Sequence, residues 1–278
     1  MPSPTGRPPS RIAPRLLNST LAASLWVACG VRRSQAQAVG PRPQPTDTVI
    51  FRDGFESGDL SRWEQDPQTG RYSVTTDPAH VRSGTHALEV LYTPTNSWGM
   101  ILRRFMPGYD EIYVRFSVLF EAGFEHAPHF LTVCGNTIHN SGSCYGKAGV
   151  VPNGTDFFYA GVDPEYVGDD SLRPLSFYTY WPDMPCCYGH RLAQTEPKIP
   201  LIGGRWQEVV FHIKMNTPGQ DNAYQELWVD GVKKIVQRDM RWRTTTDLRL
   251  NMVRFDNWMA RSPKTQHLWI DDVTIWRP

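Results

Sequence analysis

Basic tracts are missing from this chain. Five of its 29 lysines and arginines fall in the first 38 residues, which contain no acid, and the remainder holds 24 basic against 28 acidic residues, a formal charge of −4. Phosphate partners need clustered cations, so neither a nucleic acid nor an anionic membrane surface is expected as a partner. Helical periodicity is equally scarce: no stretch of twelve residues joins a 3.6-residue hydrophobic repeat to capping residues. G-x-G-x-x-G, the P-loop, G-x-S-x-G and H-E-x-x-H do not occur. E-x-D-x-x-E is missing too, which removes the paired carboxylates of one class of retaining glycosidase. His126 and His129 form a loose pair without a third metal ligand in sight. Cysteine is sparse, five in 278 residues, and none stands at zinc-ligand spacing.

What is present begins with an export signature. Residues 1–15 are basic, residues 16–31 are mostly apolar but too short to span a bilayer, and residues 36–38 read Ala-Gln-Ala, a cleavage pattern. A signal peptide over 1–38 is expected, with a lipoprotein tether at Cys29 as the alternative. The proline-rich segment 39–47 reads as a flexible leader. After 48 there is no internal repeat, no low-complexity linker and no second hydrophobic segment, so 48–278 is expected to be one domain, secreted and monomeric.

Ten segments of that domain are rich in β-branched and aromatic residues: 48–51, 87–92, 111–120, 129–134, 156–162, 175–181, 206–215, 224–229, 248–255 and 267–276. Proline, glycine and Asn/Asp clusters separate them, and Asp230-Gly231 marks a hairpin. Ten short strands predict an all-β fold, two antiparallel sheets packed as a sandwich or jelly roll. Nine tryptophans after residue 38 exceed the needs of a core, and flat rings suit stacking on sugars. Export also favours disulfides among Cys134, Cys144, Cys186 and Cys187. Pairing 134 with 144 would leave a rare vicinal bridge, so crossed bridges pinning the 134–144 loop to the 186–187 loop are expected.

Residues 51–58, FRDGFESG, followed by Trp63, resemble the opening of secreted concanavalin A-like jelly rolls. Residues 82–88 (RSGTHAL), 111–115 (EIYVR), 226–231 (ELWVDG) and 268–273 (LWIDDV) continue the series in order. Together they resemble the glucuronan-lyase-like polysaccharide lyases, a group that includes a fungal cellulose-induced protein. They are more distantly similar to jelly-roll alginate lyases. The resemblance implies β-elimination beside a uronic acid. That reaction needs a group to neutralise the carboxylate, a base for the C5 proton and an acid for the leaving oxygen. One departure stands out: residues 156–162 read DFFYAGV where that group has a strand of the type HLRIGGQ.

Candidate residues follow from strand alternation and from the resemblance. Tyr178 and Tyr180 share one strand face, with Phe177, Thr179 and Trp181 on the other. The tyrosines resemble the Tyr-x-Tyr pair of the alginate-lyase branch and are expected as acid or base. Arg115, on the non-core face of 111–120, and His129 are expected to neutralise the carboxylate. Lys147, His190, Arg254, Arg261 and Trp258 are candidate substrate contacts. Glu56 with Asp271 and Asp272, completed by carbonyls of 83–86, is expected to bind a structural calcium ion. The expected function is a uronate-cleaving polysaccharide lyase. The alternatives are a non-catalytic carbohydrate-binding module, or a hydrolase or esterase using acids such as Asp163 or Asp183.

Overall fold

The computed structural model describes residues 42–45, 48–65, 70–95, 99–125, 129–165, 171–258 and 262–278. The signal peptide, Cys29, most of the leader, His126 and Arg261 lie outside the described residues. Among the described residues fifteen strands follow in chain order: β1 (Val49–Asp53), β2 (Glu64–Gln65), β3 (Tyr72–Thr75), β4 (Ala87–Tyr92), β5 (Met100–Tyr109), β6 (Glu111–Phe120), β7 (Leu131–Thr137) and β8 (Phe157–Pro164). The rest are β9 (Leu175–Tyr180), β10 (His190–Leu192), β11 (Trp206–Lys214), β12 (Ala223–Val229), β13 (Val232–Met240), β14 (Leu248–Asp256) and β15 (Gln266–Trp276).

They form two antiparallel sheets. One has the order β13-β12-β11-β6-β15-β4-β3, with β1 also paired to β15; the other runs β10-β9-β8-β7-β14-β5-β2. All ten expected strands are present. The fold is the all-β jelly roll. Among the described residues no helix is long and apolar enough to cross a membrane.

Alternation explains which faces meet. On β6, Ile112, Val114, Phe116, Val118 and Phe120 are buried. Phe116 packs edge-on against Phe130 and Phe255 of the opposite sheet, with ring centroids 5.4 and 5.1 Å apart. Strand β15 serves two partners on one edge: Gln266–Ile270 pair with β4, and Val273–Trp276 with β1. The exchange falls at a register shift after Asp271, where Asp272 adopts φ +55°. The hairpin after β12 turns on Asp230 and Gly231, both at positive φ, as a two-residue Asp-Gly loop requires.

The cysteines pair differently from expectation. Cys186 is bonded to Cys187 on an exposed turn, while Cys134 and Cys144 are buried, free thiols in hydrogen-bond contact with each other. The crossed bridges are therefore not formed. The cause is local: Asn136 Oδ1 accepts the Cys144 N–H at 2.9 Å, folding the 140–144 turn back over β7.

The acidic corner is also resolved into hydrogen bonds. Glu56 accepts from the N–H and hydroxyl of Thr85 and the N–H of His86, at 2.8–3.1 Å. Asp271 Oδ2 accepts the N–H groups of Arg82 and Ser83, both at 3.0 Å, and Asp272 accepts the Ser83 hydroxyl at 2.6 Å. As placed, loop 82–86 turns donors toward the carboxylates where a calcium shell needs oxygen acceptors. No three acidic, histidine or cysteine side chains among the described residues stand close enough to hold a metal. The arrangement fits a clasp between loop and strand and does not fit the expected calcium ion. Thr85 holds the Glu56 carboxyl below its ordinary range, a sign that its charged form is bound. Glu56→Gln should lower the melting temperature by roughly 2–4 °C, and a chelator should leave it unchanged. A chelator-induced fall in a scanning-calorimetry trace would restore the calcium expectation.

Candidate active site

The outer face of the seven-stranded sheet carries a cluster of proton-handling groups that includes Tyr159, Tyr178, Tyr180 and His129. Phe177 packs inward against Phe211 at 5.4 Å, and Thr179 accepts a hydrogen bond from Gln225 of the other sheet at 2.9 Å. Period-two alternation then sends Ser176, Tyr178 and Tyr180 outward. Register places Tyr180 opposite Tyr159, and Tyr178 opposite Gly161 on one side and Arg191 on the other. The Tyr178 and Tyr180 hydroxyls lie 3.1 Å apart. Burial, and then the neighbouring Tyr180 hydroxyl, push the Tyr178 phenol above its ordinary range, so it keeps its proton at neutral pH.

His129 sits just before β7, its N–H bound to the Trp258 carbonyl at 3.0 Å. Its Nδ1 is 2.8 Å from Asp163 Oδ2, and Asp163 Oδ1 accepts the Phe130 N–H at 3.0 Å. Both oxygens of this buried carboxylate are thus engaged, and the imidazole is fixed with Nε2 unpaired among the described residues. The ring lies 5.2 Å from Tyr178 and 5.0 Å from the half-exposed Trp258. Burial alone would lower its pKa. The charge and hydrogen bond of Asp163, helped by Asp256, overcome that and raise it.

Two glycines make room. A Cβ on Gly189 would stand 2.6 Å from the Tyr178 ring, and one on Gly161 would stand 2.7 Å from the Tyr178 carbonyl oxygen. Gly189→Ala should therefore displace the Tyr178 ring and lower turnover while leaving the melting temperature close to normal. Wild-type turnover in that variant would show that the ring position does not matter.

The Arg191 guanidinium lies over the Tyr178 ring, 4.7 Å from its centroid. Its Nη1 is buried and has no hydrogen-bond partner among the described residues. A guanidinium stacked on the ring of a proton-bearing tyrosine, with hydrogen-bonding capacity left over, is a candidate receptor for a carboxylate. The profile described as polysaccharide lyase matches residues 55–274. The chain belongs to the polysaccharide lyase family. The marine PL-14 alginate lyase from Aplysia kurodai is similar in structure, with a TM-score of 0.63 at 16% identity, covering 86% of this chain and 99% of that one. An alginate lyase from Chlorella virus gives 0.64 at 16% identity, covering 83% and 100%. The endo-β-1,4-glucuronan lyase of the fungus Trichoderma reesei gives 0.55 at 16% identity, covering 83% and 96%. At this identity the likeness concerns the fold. No curated protein sequence matches.

Other expected residues of this polysaccharide lyase are distributed unevenly. Arg254 lies on the same face but is buried, bound through Nε to Asp256 at 3.0 Å and flanked by Tyr145 and Tyr159. Lys147 lies over Phe157, two residues along β8 from Tyr159, and pairs with Asp156 at 3.4 Å. His190 is opposite Thr179, so alternation turns it away from Tyr178, and its ring meets Trp181 instead. Arg115 is on the wrong sheet. It belongs to β6, between Val210 and Thr274, on the outer face of the eight-stranded sheet. Asp183 pairs with Arg241 at 2.7 Å and Asp163 holds His129, so these acids do not form a facing carboxylate pair. The sequence reading overlooked Arg191, whose signal is its place on an edge strand beside Tyr178.

Proposed function

We propose that this polysaccharide lyase cleaves a uronic-acid-containing glycan by β-elimination on the outer face of the seven-stranded sheet. The observation that supports this most is the juxtaposition of His129, Tyr178 and the unpaired Arg191 nitrogen. Arg191 receives the uronate carboxylate and favours the charge that spreads onto it as the C5–H bond breaks. Neutral His129 takes the C5 proton at Nε2. The C4–O bond breaks as the C4–C5 double bond forms, and Tyr178 gives its proton to the departing oxygen. The 3.1 Å contact with Tyr180 offers a route for reprotonation. Tyrosine is the acid here because its phenol is pushed up, and His129 is the base because Asp163 fixes the tautomer that leaves Nε2 open.

The substrate is a polymer too large to cross a membrane, which agrees with the export signature of residues 1–38. The test is a panel of glucuronan, polymannuronate, polyguluronate and heparin-like chains, followed by ultraviolet absorbance of the unsaturated product. Absorbance growth on one of them is expected. Binding without product on all of them would make the chain a carbohydrate-binding module. Arg191→Gln should reduce kcat/KM on the responsive polymer by at least tenfold, since the charged acceptor loses its partner.

A further inference from the structure

The opposite face of the sandwich holds a polar cavity of about 550 Å3, within the usual range for ligand sites. Arg52, Arg82, Arg115 and Trp206 contribute to its lining. The register sets three of its residues in a row across adjacent strands: Arg52 is opposite Thr274, and Thr274 is opposite Arg115. Directly opposed residues point to the same face. Two strand spacings separate the arginines, roughly 9–10 Å at their Cα atoms. Trp206 and Glu208 project to this face from β11 by alternation with the inward Val209.

The acids in the cavity are already satisfied. Asp53 accepts from Trp63 Nε1 and the Phe55 N–H, Glu208 binds Arg42, Asp230 binds Arg205, and Asp272 accepts from Ser83. The three arginine side chains have no hydrogen-bonded or ion-paired partner among the described residues, apart from the Arg82 backbone N–H that fixes its loop. The cavity therefore offers unpaired guanidinium groups and one aromatic ring, while its negative charge is consumed. Guanidinium forks match carboxylates and an indole face matches a sugar ring. The residues that line the cavity include no histidine and no tyrosine, so it lacks a proton-transferring pair of the His129–Tyr178 kind and is read as a site that binds.

We propose that this cavity is a second, non-catalytic binding site for carboxylate-bearing polysaccharide chains, holding the polymer on the face remote from the cleavage site. The ligand class rests on the uronate reading above; the cavity itself does not. The experiment titrates uncleaved hexasaccharides of glucuronate, mannuronate and guluronate, and their neutral carboxyl-reduced counterparts, into the Tyr178→Phe protein by calorimetry. The same titrations are run after adding Arg52→Gln and Arg115→Gln, with melting temperatures recorded as a folding control. At least one acidic hexasaccharide is expected to show a site whose affinity falls tenfold or more in the arginine variant and weakens with salt. The neutral sugars should miss that site. With Tyr178 restored, the arginine variant should cleave a short substrate normally and long polymer more slowly. Unchanged titrations in the arginine variant, equal binding of neutral sugars, or no binding of any acidic hexasaccharide would overturn the proposal. Arginine-dependent binding in a protein that cleaves no uronate polymer would sink the lyase reading and leave this site standing.

Discussion

Tyr178→Phe is expected to reduce turnover on the responsive uronate polymer by about 10²–10⁴-fold while glycan binding stays within a few-fold. Phenylalanine keeps the ring that lies under Arg191 and against Gly189, and deletes only the hydroxyl. If that hydroxyl protonates the leaving oxygen, kcat falls and KM changes little, the signature of a group used in the transition state. Tyr180→Phe should be milder, because Tyr180 reaches the reaction through its 3.1 Å contact with Tyr178. The pushed-up phenol predicts no loss of rate from Tyr178 ionisation at moderately alkaline pH. Normal turnover in both phenylalanine variants would move the proton-donor role to another side chain, and a rise in KM alone would make the tyrosines a stacking surface.

The strands were legible because most of them pack one face and leave the other polar, which writes a period of two into residues 111–120. The reading missed β5, whose Arg103-Arg104 pair and Pro107-Gly108 interrupt that pattern, the edge strand β13 beyond the Asp230-Gly231 turn, and the short edge strands β2, β3 and β10. Alternation also showed correctly that Arg115 leaves the core. It could not show which of two sheets owns the strand, and the answer puts Arg115 on the face opposite Tyr178. Arg191 illustrates the complementary limit. Its neighbours in sequence are unremarkable, and its value comes from register with Tyr178 across a three-residue strand. The cysteine pairing failed for a similar reason: the Asn136 side chain that brings Cys144 onto Cys134 is a tertiary detail with no spacing signal.

The second large effect concerns His129 and the carboxylate that holds it. His129→Gln should cost about 10²–10⁴-fold in kcat/KM, the usual worth of a positioned general base. Asp163→Asn should cost nearly as much without touching substrate. The Asp163 Oδ1 position must still accept the Phe130 N–H, so the new amide nitrogen faces His129 Nδ1 and donates to it. Nε2 then carries the proton and cannot take one from C5. In the wild type, His129 has a pKa above 6.5, so kcat/KM should rise with pH through that raised value as the free base forms. Stability runs the other way. The protonated imidazole beside Asp163 contributes stability that is fully present below the unfolded value of 6.5 and is lost as pH rises through the folded value. Melting temperatures from pH 5 to 9 in wild type and His129→Gln should therefore converge on the alkaline side. An unchanged rate profile in Asp163→Asn, with the enzyme folded, would show that Asp163 supports the strand and does not position the base.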